Sequence, residues 1–440
     1  MSRFAFFTII VSLVMYTSTG AATHSEKPKI SLSMDTAIEL AMENNRDILI
    51  AKEAQNRAFQ QVREARAGAF PEFNLDANYT RTLKKPVIFF NVNGEVVRFS
   101  PGFDNSLMQT MTINQTLYAG GKTWAAIRIA SLYSDSFEES LKQARNNVTL
   151  QVRQTFLTVL LSKEVLKINQ RSLENAEAHL NNIKAMYKSG MAAEFDLLRA
   201  EVEVANARPK VIQAENTLVL QIDLLKNIIG MPLDQDIEIE GSLEPDMLDE
   251  VYIEESSRQA YDSRHDYKNL SLIRDAYNES IKIERGNWLP RVSAHYTFQY
   301  QGQSNTFDFE NSSKTQNVSL SLSLPIFDGF STSSRVQQAR INVREADFQL
   351  MKLREGIEIQ IAQARNSMED ARRRMDSTIK TVELAQTTYS IALVRFESGQ
   401  GTQLEIFDSQ VALELAQLNR LQSIYDHEIA KATWENAIGR

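Results

Sequence analysis

Residues 357–396 read IEIQIAQARNSMEDARRRMDSTIKTVELAQTTYSIALVRF. Apolar or small side chains recur at Ile357, Ile361, Ala364, Met368, Ala371, Met375, Val382, Ala385, Tyr389, Ala392 and Phe396, in steps that alternate between four and three, with Thr378 the one break in the chemistry. That spacing is a coiled-coil seam sustained over more than five heptads. At an offset of 209 the same register returns as Val148, Val152, Thr155, Val159, Ser162, Leu166, Asn169, Leu173, Ala176, Leu180, Ile183 and Tyr187, three of them polar. Between Lys122 and Tyr187 there is neither proline nor glycine. At ~1.5 Å per residue such a helix spans about 100 Å, far longer than a globular helix. Its copy runs from about Ser331 to Phe396. Shorter helices return over about Ala193 to Ile229 and Thr402 to Ile438, and Pro209 is expected to kink or break the first of these. Segments Met34 to Ala69 and Ile253 to Asn287 are expected to stack on them and complete the length.

The seam is one part of a duplication. Met34 to Tyr79 aligns without a gap on Ile253 to Phe298 at an offset of 219, placing Ala41 on Ala260, Asp47 on Asp266 and Pro71 on Pro290. A second block aligns at 209: Leu117-Tyr118-Ala119-Gly120 falls on Ile326-Phe327-Asp328-Gly329, and Asn227, Ile229 and Gly230 fall on Asn436, Ile438 and Gly439. The change of ten assigns ten extra residues to the first repeat between Tyr79 and Leu117, which belong in a loop. The repeats are bounded as 34–230 and 253–439, with an acidic connector at 231–252. That connector contains Pro245 and reads as solvated.

Four stretches alternate with period two: about 72–82, 105–119, 291–302 and 315–328. Phe73, Leu75, Ala77 and Tyr79 alternate with Asn74, Asp76 and Asn78, and Val318, Leu320, Leu322, Leu324 and Ile326 alternate with Asn317, Ser319, Ser321 and Ser323. Such alternation fits a half-buried strand and also a strand of an outer-membrane barrel. The second face is Ser, Thr, Asn and Gln with few Lys or Glu, which suits a wet lumen. Phe70, Tyr118, Trp124, Trp288 and Phe327 gather at one end of the strands, as aromatics do at a bilayer edge. Four strands cannot close a barrel, and open edges cannot face lipid, so several chains must contribute; three give twelve strands.

Composition narrows the chemistry. The 440 residues hold no cysteine, five scattered histidines, 16 glycines and 9 prolines, with a net charge of −8. Disulfides, thiolate metal sites and a cysteine nucleophile are excluded, and the acidic balance argues against nucleic-acid binding. No catalytic, cofactor or metal motif is present: His427-Glu428 lacks the second histidine of a zinc protease, and Gly399-Gln400-Gly401 opens a hairpin tip. Arg3, the apolar run Phe4 to Met15 and the small residues Thr19 to Ala22 form a signal peptide over 1–22, with cleavage after Ala21 or Ala22. The run is too short to span a bilayer as a helix, and no later stretch reaches the ~20 residues a spanning helix needs without charges.

The segment Leu32 to Ala41 with Asn44-Asn45-Arg46-Asp47, Ala69-Phe70-Pro71 opening a strand, Leu117 to Gly121, and the tips Gly190 to Ala200 and Gly399 to Ser409 together resemble the TolC family of outer-membrane efflux proteins over essentially the whole mature length. The resemblance implies a mixed α and membrane-β fold. Each chain would give four strands to a 12-stranded barrel in a homotrimer, above a long coiled-coil periplasmic α-helical barrel. It implies a passive, non-enzymatic duct in the cell outer membrane, surrounded by outer-membrane lipid. The partners implied are a periplasmic adaptor (membrane fusion) protein and an inner-membrane pump of RND or ABC type. The cargo would be small molecules such as drugs, toxic compounds or metal ions. An exit duct for type I protein secretion and a non-conducting periplasmic coiled-coil scaffold are the alternatives.

At the tips, an aromatic is followed by a glycine three residues on and an acid six beyond that: Tyr187, Gly190 and Asp196, then Phe396, Gly399 and Glu405. The glycines suit helix ends and the acids suit helix starts. The tips are candidate adaptor contacts. In resembling channels, positions like Glu405 and Asp408 form a cation-binding constriction at the periplasmic mouth. Asp196 matches an acid that holds the mouth closed through an arginine and a tyrosine, where this chain has Gly401 and Phe396.

Overall fold

The computed structural model describes residues 30–92, 94–245, 260–261, 263–309 and 312–439. The signal peptide expected at 1–22, residues 246–252 of the connector and the start of the second repeat at 253 lie outside the described residues.

The first half begins with helices capped by its own polar residues. In the first half, β1 (Ile30–Leu32) leads into α1 (Met34–Asn44) and α2 (Arg46–Ala67). Ser33 and Thr36 form a reciprocal capping box at the start of α1, satisfying two of the amides that a helix start leaves open. The strand β2 (Glu72–Arg81), the hairpin β3 (Ile88–Val92) and β4 (Glu95–Phe99), and β5 (Asn105–Ala119) follow. Then come α3 (Lys122–Lys188), α4 (Glu194–Ile228) and β6 (Ile237–Ile239). The second half comprises α5 (His265–Arg285), a 3-10 turn Gly286–Trp288, β7 (Arg291–Ser304), β8 (Ser312–Ser323), α6 (Ser331–Glu397) and α7 (Gln403–Ala437).

The heptad pattern of α6 is visible as burial. Every seam position from Ile357 to Phe396 is buried or half-buried, and the residues between them are exposed, Leu393 excepted. The α6 helix packs on α5 and α7, while α3 packs on α1, α2, α4, α5 and α7. The main core therefore lies along α3, where Val148, Val152, Phe156 and Val159 meet Leu32, Ala41, Ile48, Leu225 and Ile229. Burying each large side chain there is worth about 1.5–3 kcal/mol.

The short and long helices join end to end through one repeated device. Asn45 Oδ1 accepts from the Asp47 and Ile48 amides, at 2.9 and 3.3 Å, capping α2. Its Nδ2 donates to the Ile228 carbonyl at the end of α4, at 2.7 Å. Gly230, at φ +72°, lies so near α1 that a Cβ would sit 2.5 Å from the Asn44 oxygen. In the second half Arg264 stands at the Asn45 position, and its Nη1 donates to the Ala437 carbonyl at the end of α7, at 3.0 Å.

Four expectations need correction. The α4 helix runs through Pro209 unbroken, since one missing N–H leaves the other helical bonds and the packing on α3 in place. The ten extra residues of the first repeat build the hairpin β3–β4 in the β2–β5 connection, which adds two strands to the expected four. The connector is more than a solvated link: β6 pairs in parallel with β1, and Ile237, Ile239 and Leu243 join the main core. The last barrel strand also spans Ser312–Ser323 in place of 315–328, because Pro325 offers no N–H to continue the ladder.

The four long strands form one antiparallel sheet in the order β2-β5-β7-β8. Its register aligns the side chains in rows. Phe73, Ile113, Tyr296 and Val318 form one row of the apolar face, and Leu75, Met111 and Phe298 belong to the next. On the other face the rows are Asn74, Thr112, Thr297 and Asn317, then Glu72, Asn114, His295 and Ser319. Hydrogen bonds knit this polar face sideways: His295 Nδ1 lies 2.8 Å from Asn114 Oδ1, and the Ser293 and Ser321 hydroxyls are 3.0 Å apart. Along β2 and β8 every residue is exposed, Leu322 at 70%, so both sheet edges are bare. Among the described residues no helix is long and apolar enough to cross a membrane.

An apolar face outside a wet one has a measurable consequence. Leu320→Arg and Leu322→Arg are expected to cut barrel insertion sharply, because a lipid-facing arginine at the midplane costs about 2–4 kcal/mol. Ser321→Arg, on the polar face, should insert nearly as wild type. Heat-modifiable mobility of outer-membrane fractions reads the difference, and equal insertion of all three variants would reverse the assignment of faces.

Candidate functional site

The two helical hairpins, α3–α4 and α6–α7, end in the same turn. The Gly190 amide donates to the Tyr187 carbonyl at 3.0 Å and the Met191 amide to Met186 at 2.8 Å. Gly399 donates to Phe396 at 3.0 Å and Gln400 to Arg395 at 2.8 Å. Both glycines take left-handed backbone, φ +77° and +74°, which a residue with a Cβ adopts only under strain. Tyr187 is exposed beside its turn.

The acids expected at the mouth divide by role. Asp196 Oδ2 accepts from the Ala193 amide at 3.3 Å and so caps α4. Glu405 lies in the first turn of α7, its amide donating to the Thr402 hydroxyl at 3.3 Å. Its carboxylate is 3.8 Å from Arg395 on α6. Asp408 is exposed, and among the described residues no cation reaches it. Glu405 and Asp408 thus share one tip segment, with Asp196 close by through Gln403.

The second hairpin docks on the first by contacts in which, of the expected residues, only Phe396 and the main chain of Asp196 take part. Gln403, almost fully buried, donates through Nε2 to the Asp196 carbonyl at 3.2 Å. Phe396 meets the His179 ring edge-on, centroids 5.7 Å apart. The Arg199 guanidinium lies 5.9 Å from the centre of the Phe407 ring. Gly401 packs tightly against the end of α6. Its amide donates to the Arg395 carbonyl, and a Cβ would lie 2.9 Å from the Phe396 nitrogen. A side chain at 401 would have to displace the end of α6, and the contact across the tip is made by Gln403 on the Asp196 main chain. Gln403 and His179 escape a reading of the sequence, since a polar residue in a first turn and an isolated histidine both look like solvated surface.

The interface between hairpins holds titratable groups away from water. Burial pushes the Glu203 carboxyl up, with Arg199 pulling it partly back. Burial, and then the Glu203 charge, push the Tyr389 phenol up. Among the described residues His179 Nε2 is buried without a hydrogen-bond partner, and burial lowers the imidazole pKa.

At the other end of the helices, Phe70, Tyr118, Trp124, Trp288 and Phe327 are all exposed where strands meet helices. Phe327 follows the end of β8 and does not close that strand. Its ring packs edge-on against Phe330 at 5.5 Å.

His179 makes the docked tip pH-sensitive in a known direction. A histidine whose pKa is lowered by docking leaves the undocked form to take the proton first. The dock is at full strength above the ordinary imidazole value of about 6.5 and weakens as pH falls below it. Hydrogen exchange at the Gly401 amide, corrected for the intrinsic rate, should therefore quicken between about pH 7.5 and about pH 5.5. His179→Phe should flatten that dependence, and an unchanged dependence would remove His179 from the account.

Comparison with known proteins places this architecture. Residues 37–231 and 257–440 match the family described as outer membrane efflux protein. Protein CyaE of Bordetella pertussis is 22% identical over 310 residues, covering 70% of this chain and 65% of that relative, so the chain spans just under two thirds of it. Outer membrane protein TolC of Escherichia coli is 21% identical over 413 residues, covering 89% of this chain and 79% of its own. The crystal structure of the Campylobacter jejuni CmeC outer membrane channel shares the fold with a TM-score of 0.78 at 17% identity, covering 97% of this chain and 94% of that one. The fold is TolC-like, and with the family match extending over most of its length the chain belongs to the outer membrane efflux protein family, a family of passive channels in the outer membrane.

Proposed function

We propose that the chain is one third of a passive homotrimeric duct that carries small molecules, such as drugs, toxic compounds or metal ions, out of the cell. A periplasmic adaptor and an inner-membrane pump, of RND or ABC type, deliver the cargo. The observation that carries this reading is the sheet: one face apolar, the other lined with hydroxyl and amide groups, both edges bare, and each strand pair continuing into a long helical hairpin. Such a sheet is stable in lipid only as part of a closed ring around a wet lumen. Two efflux repeats, 34–230 and 253–439, with the connector 231–252 at the tunnel's equator, give each chain two strand pairs and two hairpins. Tyr187, Gly190, Phe396 and Gly399 form the tips offered to the adaptor. A lumen of small neutral polar groups selects weakly, which leaves the choice of cargo to the pump.

At the mouth, Glu405 and Asp408 repeated around a threefold axis form rings of carboxylates, which favour cations. The neighbouring Arg395 offsets Glu405, so Asp408 carries more of the effect. In planar bilayers the wild-type protein should conduct with cation preference and be blocked by trivalent cations. Asp408→Ala should weaken both properties more than Glu405→Ala does, with the oligomer intact. Selectivity and block at wild-type values in the double variant would reduce both acids to helix capping. Absence of any wild-type conductance would overturn the duct itself.

A further inference from the structure

The apolar face of the β2-β5-β7-β8 sheet carries its charges at one end. The register sorts the strand residues onto two faces. Glu72, Asp76 and Arg291 stand on the polar face. Among the described residues two charged side chains fall on the apolar face, Arg81 of β2 and Lys314 of β8. Both lie toward the end of the sheet away from the helices. Beyond Arg81 the chain continues through Leu83, 92% exposed, and the exposed Lys84.

Most polar groups at that end find partners within the chain. The Tyr79 hydroxyl donates to Asn105 Oδ1 at 2.7 Å, and Asn105 Nδ2 donates to the Thr306 carbonyl at 3.1 Å. Lys85 Nζ donates to Asn305 Oδ1 at 2.6 Å and pairs with Asp104 at 3.1 Å. The loop after β7 lays two rings on the apolar face. Phe307 packs on Tyr79, centroids 5.6 Å apart, and Phe309 packs on Phe307 at 5.7 Å. Phe309 also closes over Gly302, where a Cβ would sit 3.1 Å from its own. Arg81, Lys84 and Lys314 differ from these groups. All three are exposed, and among the described residues the one ion pair at this end of the sheet is Lys85 with Asp104. A cation on a lipid-facing strand is costly at the midplane and tolerated near the interface, where lipid phosphates can meet it.

We propose that the outer end of β2 is a binding site for the phosphorylated glycolipid of the outer leaflet. The site rests on the reading above that the apolar face meets lipid. Arg81 and Lys84 bind one lipid phosphate. The guanidinium fork matches two phosphate oxygens, and the lysine adds a point charge. Leu83 and the Phe307 ring, 74% exposed, lie against the start of the acyl chains, the level at which aromatic rings settle. Lys314 stands three strands away, about 14 Å across the sheet, and meets a second phosphate. The opposite end of the same face has aromatics and, among the described strand residues, no cation. One face thus carries cations at the level of the outer leaflet and none on its strands at the level of the inner one.

The test uses the full-length protein, extracted from outer membranes in neutral detergent and freed of bound glycolipid, with lipid A as the probe. Native mass spectrometry and the rise in unfolding temperature read binding. Wild type should bind lipid A, bind its dephosphorylated form far more weakly, and keep lipid A when inorganic phosphate is added. Arg81→Gln with Lys84→Gln should weaken binding at least about tenfold, as expected when charge-assisted hydrogen bonds are lost. Arg81→Lys with Lys84→Arg, which keeps both charges, should retain most of it, and Arg291→Gln should bind as wild type. If the double Gln variant fails to insert, Lys84→Gln alone, outside the strand, should show a smaller loss. Undiminished binding by the Gln variants, or equal binding of the two forms of lipid A, would overturn the site. Displacement of lipid A by inorganic phosphate would reduce it to a site for free anions. The underlying reading fails separately. If Leu320→Arg and Leu322→Arg insert as wild type, the apolar face does not meet lipid and the site falls with it. If they fail to insert while the Gln variants bind lipid A as wild type, the lipid face stands and the site alone falls.

Discussion

A strand edge cannot be left bare in hydrocarbon. Each unpaired backbone N–H or C=O there costs several kcal/mol, and no water is present to relieve it. A helix meets this demand within itself, and a sheet meets it only by closing. The β2-β5-β7-β8 sheet has two bare edges, so its stability is a property of several chains. The duplication serves the same constraint. Two copies of one strand pair twist and stagger alike, so identical units can continue round a ring without a misfit at the closing joint.

The halves keep their joints and change the chemistry used to make them. Asn45 and Arg264 occupy one position and bond one equivalent carbonyl, though one is a short neutral amide and the other a long cation held by Asp266 at 2.6 Å. What is preserved is a donor of the right reach at a helix end whose last carbonyls lack partners. The turns from barrel to helix show a costlier substitution. Gly120 and Gly121 are left-handed in the first half, whereas Gly329 and Phe330 are left-handed in the second. A left-handed phenylalanine costs roughly 1–2 kcal/mol. Its ring is exposed and packs on Phe327, among aromatics that lie where the barrel gives way to helix. Ring burial at the bilayer edge can offset strain of that size.

The parts of the fold ruled by periodicity were legible. The α6 seam could be read from Ile357 to Phe396 because one face of a long helix must be apolar at every step. The strands could be read because their faces meet opposite solvents. Departures arose where one tertiary contact outweighs the local pattern. Ile237 and Ile239 lie in an acidic stretch, yet they pair with β1 and enter the core. Pro209 is a residue expected to kink or break a helix, but α4 continues through it and is held along its length by α3. Ten inserted residues looked like loop and fold as a hairpin, since local pairing needs no partner elsewhere. At the tip, Asp196 was legible as an acid near a helix start. Its main-chain oxygen, which receives Gln403, carries no mark in a sequence.

The distribution of packing along the long helices follows from what a tunnel must do. Near the middle, α3 is enclosed by five helices and by the β1–β6 pair, and α6 buries Ile357, Ile361, Ala364, Met368, Ala371 and Met375 in succession. Toward the tips the enclosure thins. From Thr378 on, every seam residue of α6 except Ala392 is only half-buried, and the two hairpins are tied by hydrogen bonds from Gln403 to Asp196 and from Gln410 to Ser172, by Glu414 with Ser172 and Lys210, and by ring contacts at His179 and Phe407. Such ties are worth about 1 kcal/mol each, against several for a core side chain. Segments that must move are drawn from the least stable part of a fold. A mouth tied by a few weak contacts, at the end of helices anchored firmly at their centre, can part without unfolding the tunnel.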